Sequence, residues 1–342
     1  MRFFDLHSYD ELIKTPVKDI QEMLKKWIKS HKDAGLKGNT INVKLSAVEL
    51  LLDMNEVVWA RKKIRKMVPR SNHEKGGRRP ITTDEIQMLL KATNDFRMIA
   101  IIHFLASTGG RPAVLTDPPL KFKHLHKMSD DVIYAVKIYD ESAEGYWAFL
   151  TPEASKALDA YIRTRKLNGE HIDEESYLFA TKQNARTRKN GFLGQQSVYK
   201  TLNTLYKRAG IIREKNGNRF DLAITYGFRK RFNGVLKMEN SVNSNIAEKL
   251  MAHKRGLDGV YLQPTREECY REFVKAIPQL TVNPTERQKA ELEEKQKKID
   301  QLEATTQENS NLKQKLNSQE NRIGKLEQML FDSNFHPLSK SS

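Results

Sequence analysis

Apolar positions near the start of the chain recur at helical spacing, in two runs separated by helix-breaking residues. The first run comprises Ile20, Met23, Leu24, Trp27 and Ile28. The second extends over residues 41–58, and Gly35, Gly38 and Asn39 separate the two. This pattern predicts a bundle of three or four helices between about Pro16 and Met67.

A polar, glycine-containing and basic stretch over residues 70–79 follows the predicted bundle. Such composition is typical of an exposed linker, and we place a domain boundary near Gly77. Thr82 then predicts a helix start, because its hydroxyl can cap the third amide while Glu85 reaches back. An apolar run over residues 99–105 leads into a turn, Ser107-Thr108-Gly109-Gly110-Arg111-Pro112.

Two short segments after this turn carry a strand pattern. Residues 132–139 alternate and are rich in β-branched and aromatic side chains, and residues 146–150 repeat that character after a polar turn. Thr151-Pro152-Glu153 predicts the next helix start, and mostly helical sequence follows to Leu280. The predicted fold class is mainly α with a small antiparallel β-hairpin or sheet.

The last segment, over residues 283–331, has a seven-residue repeat. Its apolar repeat positions are Leu302, Leu316, Ile323 and Leu330, with Leu312 and Leu326 at the interleaved core positions. Asn309 occupies one core position, whereas Leu292 and Ile299 lie one position out of register. The repeat predicts a coiled coil of about four heptads that begins late or carries a discontinuity; a single solvated helix is the alternative. Residues 332–342 are expected to be disordered.

Charge is distributed unevenly along the 342 residues. The formal net charge is +16, and residues 284–342 contain ten Lys and Arg against ten Asp and Glu, so the excess lies in the first 283 residues. Such a basic globular part favours a polyanionic partner such as nucleic acid, although composition alone fits a highly charged protein without an anionic ligand equally well. The sequence also predicts a cytoplasmic protein without internal disulfides, because it has one cysteine, Cys269, and neither a secretory signal nor a membrane span.

Four short motifs occur in a characteristic order along the chain. Arg111 follows Thr108-Gly109-Gly110; Tyr226-Gly227-Phe228-Arg229 lies in a basic segment; Ala252 precedes His253; and Tyr261 comes eight residues after His253. In this order the chain resembles the tyrosine recombinase/integrase family, and the sequence Gly256-Leu-Asp-Gly-Val-Tyr-Leu-Gln-Pro264 looks most like archaeal integrases. The resemblance spans about residues 10–280 and does not include the coiled-coil segment.

The resemblance implies a helical core-binding domain with its linker over residues 1–77 and a catalytic domain over residues 78–282. It implies that Arg111 and Arg229 hold a scissile DNA phosphate, that His253 contacts it, that Lys137 is the general acid, and that Tyr261 is the nucleophile. The product would be a 3′-phosphotyrosyl bond and a free 5′ hydroxyl, formed without ATP or metal. The expected partners are double-stranded DNA, which the two domains would enclose as a clamp, and further copies of the chain. Four copies would act together on two duplexes.

Several positions depart from the family pattern and leave alternatives open. Tyr226 stands where histidine is usual and Val114 where an acid is usual, and the family's lysine tends to lie nearer the hairpin turn than Lys137 does. Tyr270 is a rival nucleophile, although its surroundings favour a packing role, and Cys269 is expected to be a buried apolar residue. The alternatives are a degenerate recombinase that binds DNA without cutting it and a coiled-coil scaffold, which leaves the ordered motifs unexplained.

No phosphate-binding glycine loop and no Cys or His cluster at metal-ligand spacing is present, so neither cofactor nor metal is expected.

Overall fold

The computed structural model describes residues 6–69, 79–128, 132–181, 191–216, 219–253 and 263–334. Contacts divide the chain into two compact units, Met1–Gly76 and Gly77–Ser342. Most of the predicted linker, residues 70–78, lies outside the described residues.

The first unit is a small helical bundle, as the apolar pattern predicted. Its helices are α1 (Tyr9–Lys14), α2 (Val17–Asp33), α3 (Gly38–Met54) and α4 (Arg61–Arg65). Ile20, Leu24 and Ile28 of α2 pack with Ile41 and Leu45 of α3 in one apolar cluster. The spacing of these residues places them on one face of each helix, so burial of those faces stabilises the bundle.

A buried carboxylate fixes the short helix α4 against α3. Glu49 is almost fully buried and forms ion pairs with Arg65 and with Arg61, the latter at 3.2 Å. The hydrogen bond from Arg65 lowers the pKa of Glu49, so the carboxylate stays ionised inside the bundle.

The second unit is mainly helical with a small antiparallel sheet. Its helices are α5 (Thr83–Lys91), α6 (Phe96–Thr108), α7 (Pro152–Leu167), α8 (Gln195–Arg208), α9 (Tyr226–Met238), α10 (Ser244–Leu250), α11 (Arg266–Leu280) and α12 (Pro284–Asn334). Its strands are β1 (Leu125–Lys127), β2 (Tyr134–Ile138), β3 (Tyr146–Phe149), β4 (Lys215–Asn216) and β5 (Arg219–Phe220). The predicted fold class is confirmed, and the predicted hairpin corresponds to β2 and β3.

Two helix starts follow the predicted chemistry. The Thr82 hydroxyl accepts a hydrogen bond from the Glu85 amide at 3.1 Å, and the Glu85 carboxylate accepts one from the Thr82 amide at 2.9 Å. The Thr151 hydroxyl accepts one hydrogen bond from the Ala154 amide at the start of α7, with Pro152 at the first helical position. Local sequence therefore determines where α5 and α7 begin.

The three-stranded sheet, in the order β1-β2-β3, separates two apolar clusters of the second unit. Val136 and Ile138 pack on one side with α6 and α7, whereas Ala135 and Phe149 pack on the other side with α11. Successive side chains of a strand point to opposite faces, so this division follows from the alternation of β2 and β3. It also determines which face each functional side chain of the hairpin occupies.

The C-terminal helix α12 begins where the sequence predicted and ends later than predicted. Glu153 accepts hydrogen bonds from the amides of Val282 (2.5 Å) and Asn283 (2.9 Å), which fixes the entry to α12. The helix continues to Asn334, and the expectation of a disordered tail over residues 332–342 stays a prediction. Residues 335–342 lie outside the described residues.

Candidate active site

The turn before Arg111 depends on Gly109. Gly109 ends α6 with a positive φ of 56°, and a β-carbon there would lie 2.5 Å from the side chain of Phe232 on α9. Glycine therefore permits both the left-handed turn and the close approach of α9. The Gly109 carbonyl accepts a hydrogen bond from Arg229 at 2.9 Å, so this approach brings the two motifs together.

Arg229 is 7% exposed, and backbone carbonyls hold it in place. It donates to the carbonyl of Gly109 and, at 2.6 Å, to that of Met251. Burial lowers the pKa of Arg229, and the nearby charge of Arg111 acts in the same direction. An arginine remains protonated despite such a shift. Within the described residues it forms no ion pair with a carboxylate, so the guanidinium is a buried cation next to a second cation.

Arg111 lies near Arg229, and its contacts are longer than those of Arg229. Its side chain is 36% exposed, and it lies 3.5 Å from the carboxylate of Glu144 and 3.5 Å from the carbonyl of Ala252. Ala252 has a positive φ of 52°, and its carbonyl follows that of Met251, which binds Arg229. Consecutive carbonyls after α10 therefore contact the two guanidiniums.

Val114 occupies the position where the resemblance implies an acidic residue, and its side chain is buried. Val114 is buried in the apolar cluster beside α6, so no carboxylate projects from this position toward Arg111. Glu144, in the turn between β2 and β3, supplies a carboxylate to Arg111 from another part of the chain. Glu144 is not recognisable as a partner of Arg111 from the sequence, because the two residues are 33 positions apart.

His253 lies between an anion and a cation. Its Nδ1 is 2.6 Å from the Glu248 carboxylate, and its Nε2 is 2.9 Å from Arg229 Nη2. Arginine can only donate, so Nε2 accepts, and Nδ1 carries the hydrogen that it donates to Glu248; these partners assign the neutral tautomer.

Glu248 is a second residue that the sequence analysis missed. Burial would raise the pKa of Glu248, but hydrogen bonds from Lys237, at 2.5 Å, and from His253 hold it below the ordinary value. The carboxylate is therefore ionised and fixes the imidazole ring against Arg229.

Two tyrosines of the hairpin line the same cluster of charges. Tyr139 is half-buried with a positive φ of 53°, Tyr146 is buried, and their ring centroids are 6.3 Å apart. Burial raises the pKa of both phenols, and the charges of Arg111 and Arg229 oppose this rise. Both phenols are therefore protonated near neutral pH and can donate hydrogen bonds.

Tyr226, at the first position of α9, is 46% exposed. It borders a groove of about 580 Å³ that also contacts Pro112, next to Arg111, and includes Arg213 and Arg219. The Tyr226 phenol is therefore accessible from this groove.

Lys137 does not join this cluster in the described structure. It pairs with Trp147 across β2 and β3, and its ammonium lies 4.8 Å from the centroid of the Trp147 ring. Trp147 packs against the cluster at α11, whereas Tyr146 faces α6. Lys137 therefore lies on the other face of the sheet, and its role as general acid stays a prediction.

The rival residues Tyr270 and Cys269 occupy apolar surroundings. The Tyr270 ring lies 5.5 Å from that of Phe149, in the cluster between the sheet and α11. Burial raises the pKa of the Cys269 thiol to about 11, so it is not a reactive thiolate at neutral pH. Tyr261 falls within residues 254–262 and lies outside the described residues.

Among the residues that the structure describes, no group of three or more His, Cys, Asp or Glu side chains is placed to hold a metal ion. No helix in the described part of the chain is both long and apolar enough to cross a bilayer.

Comparisons with known proteins give structural matches only. No protein-family model matches the sequence, and no curated protein matches it. A XerH site-specific recombinase bound to its difH substrate matches with a TM-score of 0.49 and 17% identity, over 73% of this chain and 69% of that one. A Tn1549 transposon integrase in complex with transposon right end DNA gives 0.47 and 17%, over 75% and 86%.

An integrase from a mycobacterium phage matches with a TM-score of 0.42 and 18% identity, over 75% of this chain and 77% of that one.

Proposed function

We propose that the chain is a site-specific DNA recombinase that cuts and rejoins duplex DNA through a 3′-phosphotyrosyl bond to Tyr261. One observation carries this proposal: Arg229 and Arg111 meet at the consecutive carbonyls of Met251 and Ala252. Two cations brought together in this way repel each other, and an anion bound between them offsets this repulsion. A phosphate of the DNA backbone is an anion of the size and geometry that two guanidiniums bind.

The same pair would stabilise the reaction. Attack on a phosphodiester increases the negative charge on the non-bridging oxygens, and donors that are already in place stabilise this charge without reorganising. Arg229 meets that condition, because its hydrogen bonds to Gly109 and Met251 hold it before substrate arrives.

The reaction proceeds by two exchanges of ester bonds. The Tyr261 oxygen bonds to phosphorus as the bond from phosphorus to the 5′ oxygen breaks; the phenol loses its proton, and the departing oxygen gains one. A 5′ hydroxyl from another strand then attacks phosphorus and releases the tyrosine. The phosphotyrosyl bond conserves the ester, so religation needs neither ATP nor a metal.

Both ring nitrogens of His253 already have partners, so His253 would donate to a phosphate oxygen only after Nε2 takes up a proton and Arg229 donates to the phosphate instead. Glu248 would still fix the ring through Nδ1, so this contact would be made in a defined orientation. Tyr226 would donate a hydrogen bond to a neighbouring phosphate from the groove side, where the family usually has histidine.

A second candidate function is a DNA-binding regulator that does not cut. The placement of Lys137 on the opposite face of the sheet favours it, because a site without its proton donor would leave the 5′ oxygen a poor leaving group. In either case the excess positive charge of the first 283 residues supplies the affinity for DNA, which should fall steeply with salt.

A covalent trapping experiment separates the two functions. The full chain is incubated with duplex fragments that carry a nick near the cleaved bond, so that a short product diffuses away and religation fails. A protein–DNA adduct that is absent with Tyr261→Phe and retained with Tyr270→Phe supports the recombinase. Salt-sensitive binding without any adduct, on fragments shown to contain the bound site, supports the regulator.

A further inference from the structure

The long helix α12 exposes apolar side chains along most of its length. Beyond its anchored start, every described side chain over residues 298–330 is exposed. Six large apolar residues within this stretch are 55–67% exposed: Leu302, Leu312, Leu316, Ile323, Leu326 and Leu330. A stripe of this kind on an otherwise polar helix marks an interaction surface.

The stripe has the spacing of a two-stranded seam. With Leu302, Asn309, Leu316 and Ile323 at position a of successive heptads, Leu312 and Leu326 fall at position d. A β-branched residue at a with leucine at d, as in Ile323 and Leu326, favours two strands. A single polar Asn at an a position favours the arrangement in which it meets its own copy, because its side chain then has a hydrogen-bonding partner.

Charges beside the seam select the partner and its direction. In a parallel pair, position g of one helix lies next to position e of the following heptad in the other. Three consecutive pairs are then of opposite sign: Glu308 with Lys313, Lys315 with Glu320, and Arg322 with Glu327. Each occurs twice in a symmetric pair of helices, so all the charged contacts of this stretch are favourable.

The antiparallel arrangement lacks this complementarity. Antiparallel helices bring g next to g and e next to e. The alignment that pairs Asn309 with the polar Gln319 places Glu308 beside Arg322, but it also places Lys313 beside its own copy, and Lys315 likewise. Like charges in contact are unfavourable. The parallel direction makes every charged pair of this stretch attractive, whereas this antiparallel alignment also contains repulsive pairs, so the sequence of α12 favours the parallel direction.

We propose that α12 pairs with the α12 of a second copy of this chain as a parallel, in-register, two-stranded coiled coil over residues 302–330. The protein is then a dimer before it meets DNA, with both copies held at the same end of the coil. This inference does not depend on the proposed cleavage reaction, because no residue of α12 belongs to the candidate active site.

Charge reversal in the full chain tests the pairing without DNA. One variant reverses the g positions (Glu308→Lys, Lys315→Glu, Arg322→Glu), a second reverses the e positions (Lys313→Glu, Glu320→Lys, Glu327→Lys), and a third carries all six changes. Sedimentation equilibrium at low salt should show a wild-type dimer, and a dissociation constant raised by about a hundredfold or more in each of the first two variants. An equimolar mixture of these two, and the sixfold variant alone, should dimerise like the wild type, because every pair is again of opposite sign.

A monomeric wild type, or a g-reversed variant that dimerises as tightly as the wild type, would overturn the proposal; so would failure of both the mixture and the sixfold variant to recover. The mixture also controls for misfolding, since two unfolded chains would not restore each other.

Disulfide formation tests the register. In the parallel pair, position d faces its own copy, so Leu312→Cys should form a disulfide between two chains under mild oxidation. Gln314→Cys, on the outer face of the same turn, is the matched control and should remain reduced. Cross-linking at both positions to the same extent, or at neither, would contradict the in-register pairing.

Discussion

Two regions meet at the candidate active site, and they differ in how firmly they hold their functional groups. The helical region, formed by α9 and the end of α10, holds Arg229 and His253 through hydrogen bonds of 2.6–2.9 Å. The hairpin region, formed by β2, β3 and their turn, holds Arg111 only through a 3.5 Å contact with Glu144 and directs Lys137 away.

This difference separates two tasks of the proposed chemistry. Binding the phosphate requires donors that are already in place, and the helical region provides them. The proposed general acid, Lys137, belongs to the hairpin region, and it lies on the face of the sheet opposite to Tyr146. The following four predictions test this division, from the largest expected effect to the smallest.

Replacement of Arg229 should have the largest effect. Arg229→Lys should reduce the rate of strand cleavage by about a thousandfold, because an ammonium cannot keep both carbonyl contacts and the phosphate contact. It should also lower the free energy of unfolding by about 1–3 kcal/mol, since a buried carbonyl loses its donor. Cleavage assays and urea denaturation measure the two effects.

Arg231→Lys is the matched control. Arg231 lies on the same helix, is equally buried and binds the carbonyls of Gln279 and Leu280. It should lose comparable stability while retaining cleavage below its unfolding temperature. Equal loss of cleavage in both variants would mean that Arg229 acts only through the fold.

Replacement of Lys137 should reduce cleavage by about a hundredfold if the hairpin brings it to the leaving oxygen on DNA. The loss in Lys137→Ala should disappear on a substrate with a 5′-bridging sulfur, because a thiolate leaves without being protonated. Lys127→Ala, on the neighbouring strand β1, should behave as the wild type on both substrates. An unrescued loss would assign Lys137 a different role.

Replacement of Glu248 should reduce cleavage about tenfold and change its dependence on pH, because His253 loses its ionised partner. The Glu248 carboxyl has a pKa below its ordinary value in the folded protein, so it stabilises the fold above that value and ceases to do so as the pH falls through the folded pKa. The difference in unfolding free energy between wild type and Glu248→Gln should therefore be present at pH 7 and shrink below about pH 4.5. A difference independent of pH would contradict this account.

Replacement of Glu144 should have the smallest effect. Its carboxylate is 66% exposed and 3.5 Å from Arg111, so Glu144→Gln should change cleavage by less than about threefold. Glu141→Gln, in the same turn, should have no measurable effect. A loss as large as that of Arg229→Lys would show that the hairpin region holds Arg111 much more firmly than its distances indicate.

Local patterns predicted the fold well, because the residues that determine each element are neighbours in sequence. Thr82 and Glu85 predicted the start of α5, and the alternation around Lys137 predicted β2. Strand β1 was missed, because three residues, Leu125–Lys127, are too few to show an alternating pattern. The strand pattern extended to Tyr139, but this residue adopts a left-handed conformation and begins the turn.

The candidate site was predicted less completely, because its contacts join distant residues. The motifs named Arg111, Arg229 and His253, which the described structure brings together through the carbonyls of Met251 and Ala252. Glu144, Glu248, Tyr139 and Tyr146 carry no motif, and only the packing of α10 and of the hairpin against α9 shows that they line the site. The pairing of α12 concerns a second copy and stays a prediction.

The most direct test of the account is to identify the residue that bonds to DNA. The full chain is trapped on a nicked substrate, digested with protease and nuclease, and analysed by tandem mass spectrometry. We expect a nucleotide 3′-phosphate on Tyr261 in the wild type and at least about a hundredfold less of it in Arg229→Lys. A nucleotide on Tyr226 or Tyr270 instead, or an Arg229→Lys yield equal to that of the wild type, would contradict the claim that the paired guanidiniums bind the phosphate attacked by Tyr261.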